Sequence, residues 1–339
     1  MSIKPNSIKC PVCNSESSCK YHNLNDYIFK SKLVTTLYEC RNQNCAHIFA
    51  HPYPTNEDLM EAYASYYTHE GKNNRLKKIL LLYFEHLKKS YSIFFLNYKS
   101  NGGFDYIIRI FDLFLILPFK HYFASSLFYT EYQDNSRVLE VGVGDGTHLF
   151  FLKENGWNVY GVDFDQDAVE NANKNNLNVS YGTIKEQNFS SNYFDVVVLR
   201  HVIEHLPYPD VDLSECYRVL KPGGKLVIIT PNSKSIGHFI FNRFWRGLEP
   251  PRHLSIFNKA SLLILLNRFK LNDISSFSTS NAAFFICSAS IRNLICSFWR
   301  LKTLFLKPVR FLLSLLFQIL STFFSIFGWG EELVVICKK

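Results

Sequence analysis

Residues Arg137 to Asp163, RVLEVGVGDGTHLFFLKENGWNVYGVD, decide the fold of this 339-residue chain. Val138, Leu139 and Val141 make a short apolar run bounded by polar residues, the pattern of a buried strand. Gly142, Gly144 and Gly146 follow at alternate positions, and Leu149, Phe150 and Leu152 then begin a helical pattern. A strand that passes into a helix through glycines lets a ligand approach the backbone, with helix N–H groups available to it. A second strand, Asn158 to Val162, ends at Asp163, about 20 residues downstream, where a carboxylate can take both hydroxyls of a ribose. Together these features outline a nucleoside site.

Spacing narrows the ligand. The dinucleotide fingerprint G-x-G-x-x-G needs its third glycine for close helix–strand packing, and Thr147 stands in that place. The run here is E-x-G-x-G-x-G from Glu140. A carboxylate at the strand end repels a pyrophosphate but suits a ligand that carries an ammonium group. The run resembles motif I of the class I S-adenosylmethionine-dependent methyltransferases, and the resemblance extends from Arg137 to Lys338. It implies S-adenosylmethionine as cofactor. Glu140 and the loop Gly142, Val143, Gly144, Asp145 and Gly146 would hold its methionine end, and Asp163 its ribose. Phe164, Thr183, Ile184 and Arg200 complete the implied cofactor contacts, although Thr183 stands where the family often has Asp.

The rest of the core follows the same alternation. Strands are expected at Leu177–Tyr181, Phe194–Leu199, Lys225–Thr230, Leu271–Phe277 and at the terminal Glu331–Lys339. FDVVVL from Phe194 is an unbroken apolar run, as in a central parallel strand buried on both faces. Lys221-Pro-Gly-Gly reads as a helix stop and turn. F-D-V-V-V and L-K-P-G-G match the family's fourth strand and the turn before its fifth. The expected fold class is α/β: a Rossmann-like seven-stranded methyltransferase sheet, its last strand antiparallel, with an N-terminal four-cysteine zinc ribbon and apolar helical insertions. The domains read as 1–50 (ribbon), 51–135 (helical connector), 136–281 with 331–339 (core) and 282–330 (apolar hairpin).

Composition sets the frame. Apolar residues make up 47% and aromatics 16%, enough for a sizeable core, and the formal charge of +8 permits anionic partners. The basic residues border apolar runs, which favours a membrane surface over nucleic acid. RNA is further disfavoured because no Asn-Pro-Pro-Tyr-type base-handling motif follows the fourth strand. No basic leader with an apolar stretch is evident at the N-terminus, and the nine cysteines point to a reducing compartment. A cytoplasmic protein, peripheral at the inner face of a membrane, is the expectation.

Four cysteines cluster early: Cys10-Pro-Val-Cys13 and Cys40-x4-Cys45. Two thiolate pairs on two turns suit a tetrahedral structural zinc, with Cys19, His22 and His47 as substitutes and short strands expected at Tyr27–Phe29 and Leu33–Tyr38. Followed by His51-Pro-Tyr-Pro and a Tyr-rich helix to Tyr67, this segment resembles the N-terminus of zinc-ribbon methyltransferases, many of which act on sugars or are encoded with glycan-building enzymes. Tyr63, Tyr66 and Tyr67 are candidates to lid the cofactor pocket, with ordinary packing the alternative.

Two helical insertions are rich in Leu and Phe. Leu76 to Tyr98 and Tyr106 to Phe119 are each too interrupted to span a bilayer and suit an interfacial position or a buried pair. In the second insertion, Ala282 to Trp299 is apolar apart from Arg292 and Asn293. Lys302, Lys307 and Arg310 then border the uncharged run Phe311 to Phe327. Strands on both sides belong to one sheet, so a single crossing is barred. A hairpin that dips into a membrane and returns, two helices lying in the interface, or a helical pair that covers the sheet edge or makes a homodimer satisfies that constraint.

Arg200-His-Val-Ile-Glu-His-Leu-Pro follows the fourth strand and places His201, Glu204 and His205 at i, i+3 and i+4, one face of a helical turn. His205 and His253 are candidate general bases, joined by His201 and Glu204 as candidate catalytic residues. The same spacing could grip a divalent metal. It resembles the E-x-x-E-H of small-RNA and quinone-precursor methyltransferases, with His201 in the first Glu place. The bland reading is a turn cap bonded to backbone. The expected function is methyl transfer from S-adenosylmethionine to a small-molecule or glycan acceptor, a sugar or lipid-linked intermediate. The alternatives are a quinone- or polyketide-like acceptor and a nucleotide-binding scaffold without turnover.

Overall fold

The computed structural model describes residues 8–64, 75–98, 112, 120–298 and 307–339. Tyr66, Tyr67, Trp299, Lys302 and the stretch Tyr106 to Phe119 apart from Asp112 lie outside the described residues. The strands are β1 (Ser17–Leu24), β2 (Thr35–Cys40), β3 (Ile48–Ala50), β4 (Arg137–Val141), β5 (Asn158–Asp163), β6 (Val179–Tyr181), β7 (Phe194–Arg200), β8 (Leu220–Pro231), β9 (Ser255–Ile256), β10 (Asn272–Thr279) and β11 (Glu332–Lys338). Seven of them form one sheet in the order β10-β11-β8-β7-β4-β5-β6. β4 pairs in parallel with β5 and β7, β5 pairs in parallel with β6, and β11 returns antiparallel to β10. This is the expected α/β methyltransferase sheet.

The chain forms two compact units. One comprises Met1–Tyr66, Arg200–Ser214 and Ile228–Lys338; the other comprises Tyr67–Leu199, Glu215–Val227 and Lys339.

In the second unit, Val138, Leu139, Val162 and Val196 to Leu199 are buried, the consequence of continuous apolar runs in parallel strands. Asp195 fastens the strand ends, accepting from the Arg137 amide at 2.8 Å and from the Lys221 ammonium at 2.7 Å. The helix Gln166–Lys174 starts where the Asp165 carboxylate accepts from the Asp167 and Ala168 amides. Lys221-Pro-Gly-Gly is not a free turn, because it lies within β8, where the Gly223 amide reaches the Lys339 carbonyl at 2.9 Å.

In the first unit, β1, β2 and β3 form an antiparallel meander completed by β9, a strand drawn from far along the chain. Tyr27–Phe29 is a turn rather than a strand, since the Asp26 side chain accepts from the Ile28 and Phe29 amides at 3.1 and 2.9 Å. The helix Lys259–Leu266 begins with an Asn258–Ser261 capping box, and the Asn258 amide also donates to the carbonyls of Cys45 and Ala46. The helices Ala283–Phe298 and Lys307–Ser325 pack together, with the Phe284 amide donating to Gln318 Oε1 at 3.0 Å and the Phe284 and Phe311 rings 5.4 Å apart. Phe317 is buried, while Phe311, Leu312, Leu316, Ile319 and Phe323 of the same helix are exposed.

Candidate functional site

At the carboxyl end of β4 the backbone of Gly142, Gly144 and Gly146 has φ of 73°, 57° and 74°, a conformation glycine adopts without cost. A Cβ at Gly144 would meet no atom within 4 Å, so the loop is open on that side. The Gly144 amide donates to Asp163 Oδ2 at 2.8 Å, and the Asp165 amide donates to Oδ1 at 2.9 Å. Asp163 therefore ties the glycine loop to the end of β5. Burial raises its carboxyl above the ordinary range, opposed by those amide bonds. Glu140 is buried on β4 opposite Gly161 of β5. Val143 is buried and Asp145 is exposed, its carboxylate accepting from the Thr147 amide at 3.1 Å. Phe164 and Tyr181 are exposed at the ends of neighbouring strands. Thr183 is turned inward on itself: its amide and hydroxyl both donate to Glu186 Oε2, and Ile184 is buried behind them.

A second candidate site lies within the first unit, in a cavity of about 530 Å³. Its polar lining includes His201, Glu204, His205, Glu249 and His253. Arg246, Arg292 and Arg310 add positive charge, and Phe29, Phe285 and Ile286 supply apolar wall. Ile203–His205 is one 3₁₀ turn, in which Glu204 is fully buried and accepts from the Thr230 hydroxyl at 2.9 Å. The expected helical face is not formed. His201 precedes the turn with φ 54°, and its Nε2 lies 2.9 Å from Glu332 Oε1. Burial opposes the charged form of His201, but Glu204 and Glu332 outweigh it and lift the imidazole to about 9. Arg200, at the strand end, keeps its Nε without a hydrogen bond among the described residues.

His205 Nδ1 stands 3.1 Å from the Arg252 carbonyl and 2.9 Å from the Tyr63 hydroxyl. Tyr63 thus belongs to this cavity's surround, bonded to a histidine. His253 Nδ1 stands 2.8 Å from the Gly247 carbonyl, and the two imidazole rings meet edge to face at 4.7 Å. Burial depresses His253 to about 4. Glu204 is held at about 2 against its burial by His201, His205 and His253.

The segment carrying His253 is held by Arg252, which the sequence reading did not single out. Its guanidinium is 1% exposed and reaches Asp26 Oδ2 at 2.9 Å, Glu249 Oε1 at 3.1 Å and the Ala62 carbonyl at 3.2 Å. Arg246 also pairs with Glu249. A Pro-Pro-Arg-His run flanked by a glutamate was the available signal, but its partners are distant in sequence. Arg292, Arg310 and Phe285 of the apolar insertion line the cavity.

Cys10, Cys13, Cys40 and Cys45 come together with Sγ–Sγ distances of 3.8 Å for Cys10–Cys45 and 3.3 Å for Cys13–Cys40. Those separations are too long for disulfides, whereas thiolates about 2.3 Å from a tetrahedral zinc lie about 3.8 Å apart. The donor set fits a structural zinc. The three substitutes are used otherwise: Cys19 donates to the Leu37 carbonyl, His47 is buried against Phe257, and His22 is exposed.

A family model described as a methyltransferase domain matches residues 118–276. A "Probable S-adenosylmethionine-dependent methyltransferase" of Mycolicibacterium smegmatis is 36% identical over 97 residues, 28% of this chain and 38% of the relative. A "Ubiquinone biosynthesis O-methyltransferase" of Coxiella burnetii is 32% identical over 101 residues, 28% of this chain and 43% of the relative. The matches thus span about two fifths of those relatives' lengths. A solved S-adenosylmethionine-dependent methyltransferase from Archaeoglobus fulgidus is 23% identical, with a TM-score of 0.42, covering 60% of this chain and 86% of that one. The segment that matches the methyltransferase-domain model, residues 118–276, takes in the glycine loop and Asp163.

Proposed function

We propose that the protein transfers the methyl group of S-adenosylmethionine to an oxygen of a small-molecule acceptor. One observation carries this reading: three left-handed glycines at the end of β4 are tied by the Gly144 amide to Asp163 at the end of β5. Glu140, Gly142, Val143, Gly144, Asp145 and Gly146 would take the methionine end, Asp163 the ribose hydroxyls, and Phe164, Thr183, Ile184 and Arg200 the remainder. The sulfonium supplies the leaving group. The protein must orient the acceptor and lower the cost of removing its proton. Activation falls to Glu204, His205 and His253 in the cavity, with His201 held charged beside them.

The acceptor is a sugar or glycan intermediate joined to lipid through phosphate. Arg246, Arg292 and Arg310 suit the phosphate and Phe29, Phe285 and Ile286 the apolar part. The N-terminal cysteine segment, held by zinc, resembles that of glycan-cluster enzymes. The helix Lys307–Ser325, long and apolar enough to cross a membrane by length and composition, lies instead along the surface of an anionic bilayer. No Asp or Glu occurs between Asp273 and Glu331, where Arg292, Arg300, Lys302, Lys307 and Arg310 stand. A hydrophobic quinol is the second reading, favoured by the ubiquinone-pathway relative.

The test is methyl transfer from labelled S-adenosylmethionine to three acceptor pools: polyprenyl-phosphate-linked glycans, free sugars and polyprenyl quinols. Label in the first supports the proposal and label in the quinols supports the second reading. No label in any, from protein that binds the cofactor product, overturns both.

A further inference from the structure

We infer that Glu204, His205 and His253 form a binding site for a first-row divalent transition-metal ion. The three side chains bring two ring nitrogens and one carboxylate oxygen within 4.8 Å of one another, close enough for a single ion to reach all three. None of them is free to turn away. A backbone carbonyl can only accept, so the bond from His253 Nδ1 to the Gly247 carbonyl places the hydrogen on that nitrogen; His205 Nδ1 meets both the Arg252 carbonyl at 3.1 Å and the Tyr63 hydroxyl at 2.9 Å, and a hydrogen on it serves both oxygens. The unprotonated lone pair of each then sits on Nε2. Anchoring of one ring nitrogen so that the other can ligate is what metal-binding histidines require.

Glu204 is fixed in the same manner. Its Oε2 accepts from the Thr230 hydroxyl at 2.9 Å, while its Oε1, fully buried, accepts no hydrogen bond and has His201 Nδ1 at 3.4 Å. That oxygen, fully buried and met only by the long His201 contact, keeps a lone pair for a cation. His201 is not a ligand, since its Nε2 is spent on Glu332, so the set differs from the His201–Glu204–His205 face expected from spacing. Glu249 Oε2, 3.5 Å from His253 Nε2, is already occupied by Arg246 and serves as an outer partner.

Two imidazoles and one carboxylate select zinc, iron(II), cobalt(II) or manganese(II) over magnesium and calcium, and three protein ligands leave positions open. This deepens the proposed function and rests on it for the ion's purpose. An acceptor hydroxyl held by the ion would be more acidic and would lose its proton to solvent water, and its oxygen would then take the methyl group as the sulfonium leaves as the neutral thioether; His205 and His253 would hold the ion and would not themselves take the proton.

The experiment titrates cobalt(II) into the full chain after the cysteine cluster has been filled with zinc, and follows visible absorption. One added equivalent with d–d bands and no thiolate-to-cobalt charge-transfer band is expected. His253→Gln and Glu204→Gln should weaken cobalt binding by about 100-fold or more, the upper end of what even an outer partner costs. His22→Gln, an exposed histidine, should bind as the parent does. No further equivalent in the parent protein, or one that carries the thiolate band, overturns the site whether or not the variants fold. S-adenosylhomocysteine binding is measured on the same samples. Binding of that nucleoside without cobalt refutes the metal site alone, and cobalt without the nucleoside refutes the methyl-transfer reading alone.

Discussion

Arg252→Met tests the buried ion network that shapes the cavity. The substitution keeps the aliphatic stem and removes a guanidinium that is 1% exposed. Asp26 loses the cation 2.9 Å away and keeps only its two backbone amides, whereas Glu249 retains Arg246. Breaking a buried pair by removing one partner costs about 3–5 kcal/mol because the other charge stays buried. Since both carboxylates keep some partners, the lower end is expected, about 3 kcal/mol. Urea unfolding of the zinc-loaded protein should show this as a lower midpoint at unchanged slope. Adding Asp26→Asn to Arg252→Met removes the stranded charge and should restore about 1 kcal/mol or more. A loss below about 1 kcal/mol, or no recovery in the double variant, would refute the assignment of Arg252 as the network's organising cation.

Three further outcomes are expected. Burial lifts Glu331 to about 7 against the bonds it accepts from Trp245 Nε1 and the Gly237 amide. Its folded value lies above the unfolded one, so its contribution to stability is complete below about 4.5 and is lost as pH rises through about 7, on the order of 3 kcal/mol; Glu331→Gln should flatten that slope, and an unchanged pH profile would contradict it. Elemental analysis should find zinc that is reduced by one equivalent in Cys13→Ala, and identical zinc content in the variant would contradict the four-cysteine site. Flotation with phosphatidylglycerol vesicles should carry the protein, and Leu312→Glu with Leu316→Glu on the exposed helix face should abolish it at moderate salt; equal flotation of the variant would exclude that face as the contact.

Much of the sheet could be read directly because its signals are local. Apolar runs such as FDVVVL mark parallel strands, and glycines at 142, 144 and 146 announce a turn that only a left-handed backbone can make. The parts that were misread depend on partners far along the chain. The turn at Tyr27–Phe29 is set by Asp26, whose own place is set by Arg252. His201 and Glu204 look like neighbours on one helical face, yet the left-handed backbone at His201 and the pull of Glu332 separate their roles. That Arg292 and Arg310 line a cavity depends on packing and has no local signal.

The proposed methyl transfer requires the glycine loop and Asp163 to receive a sulfonium nucleoside. Isothermal titration with S-adenosylhomocysteine tests this most directly. The parent protein should bind one equivalent, and Asp163→Ala, which loses the anchor of the Gly144 amide and the proposed ribose partner together, should lose about 100-fold in affinity or more. Heat-free titrations with folded parent protein, or equal affinity in the variant, would contradict the assignment.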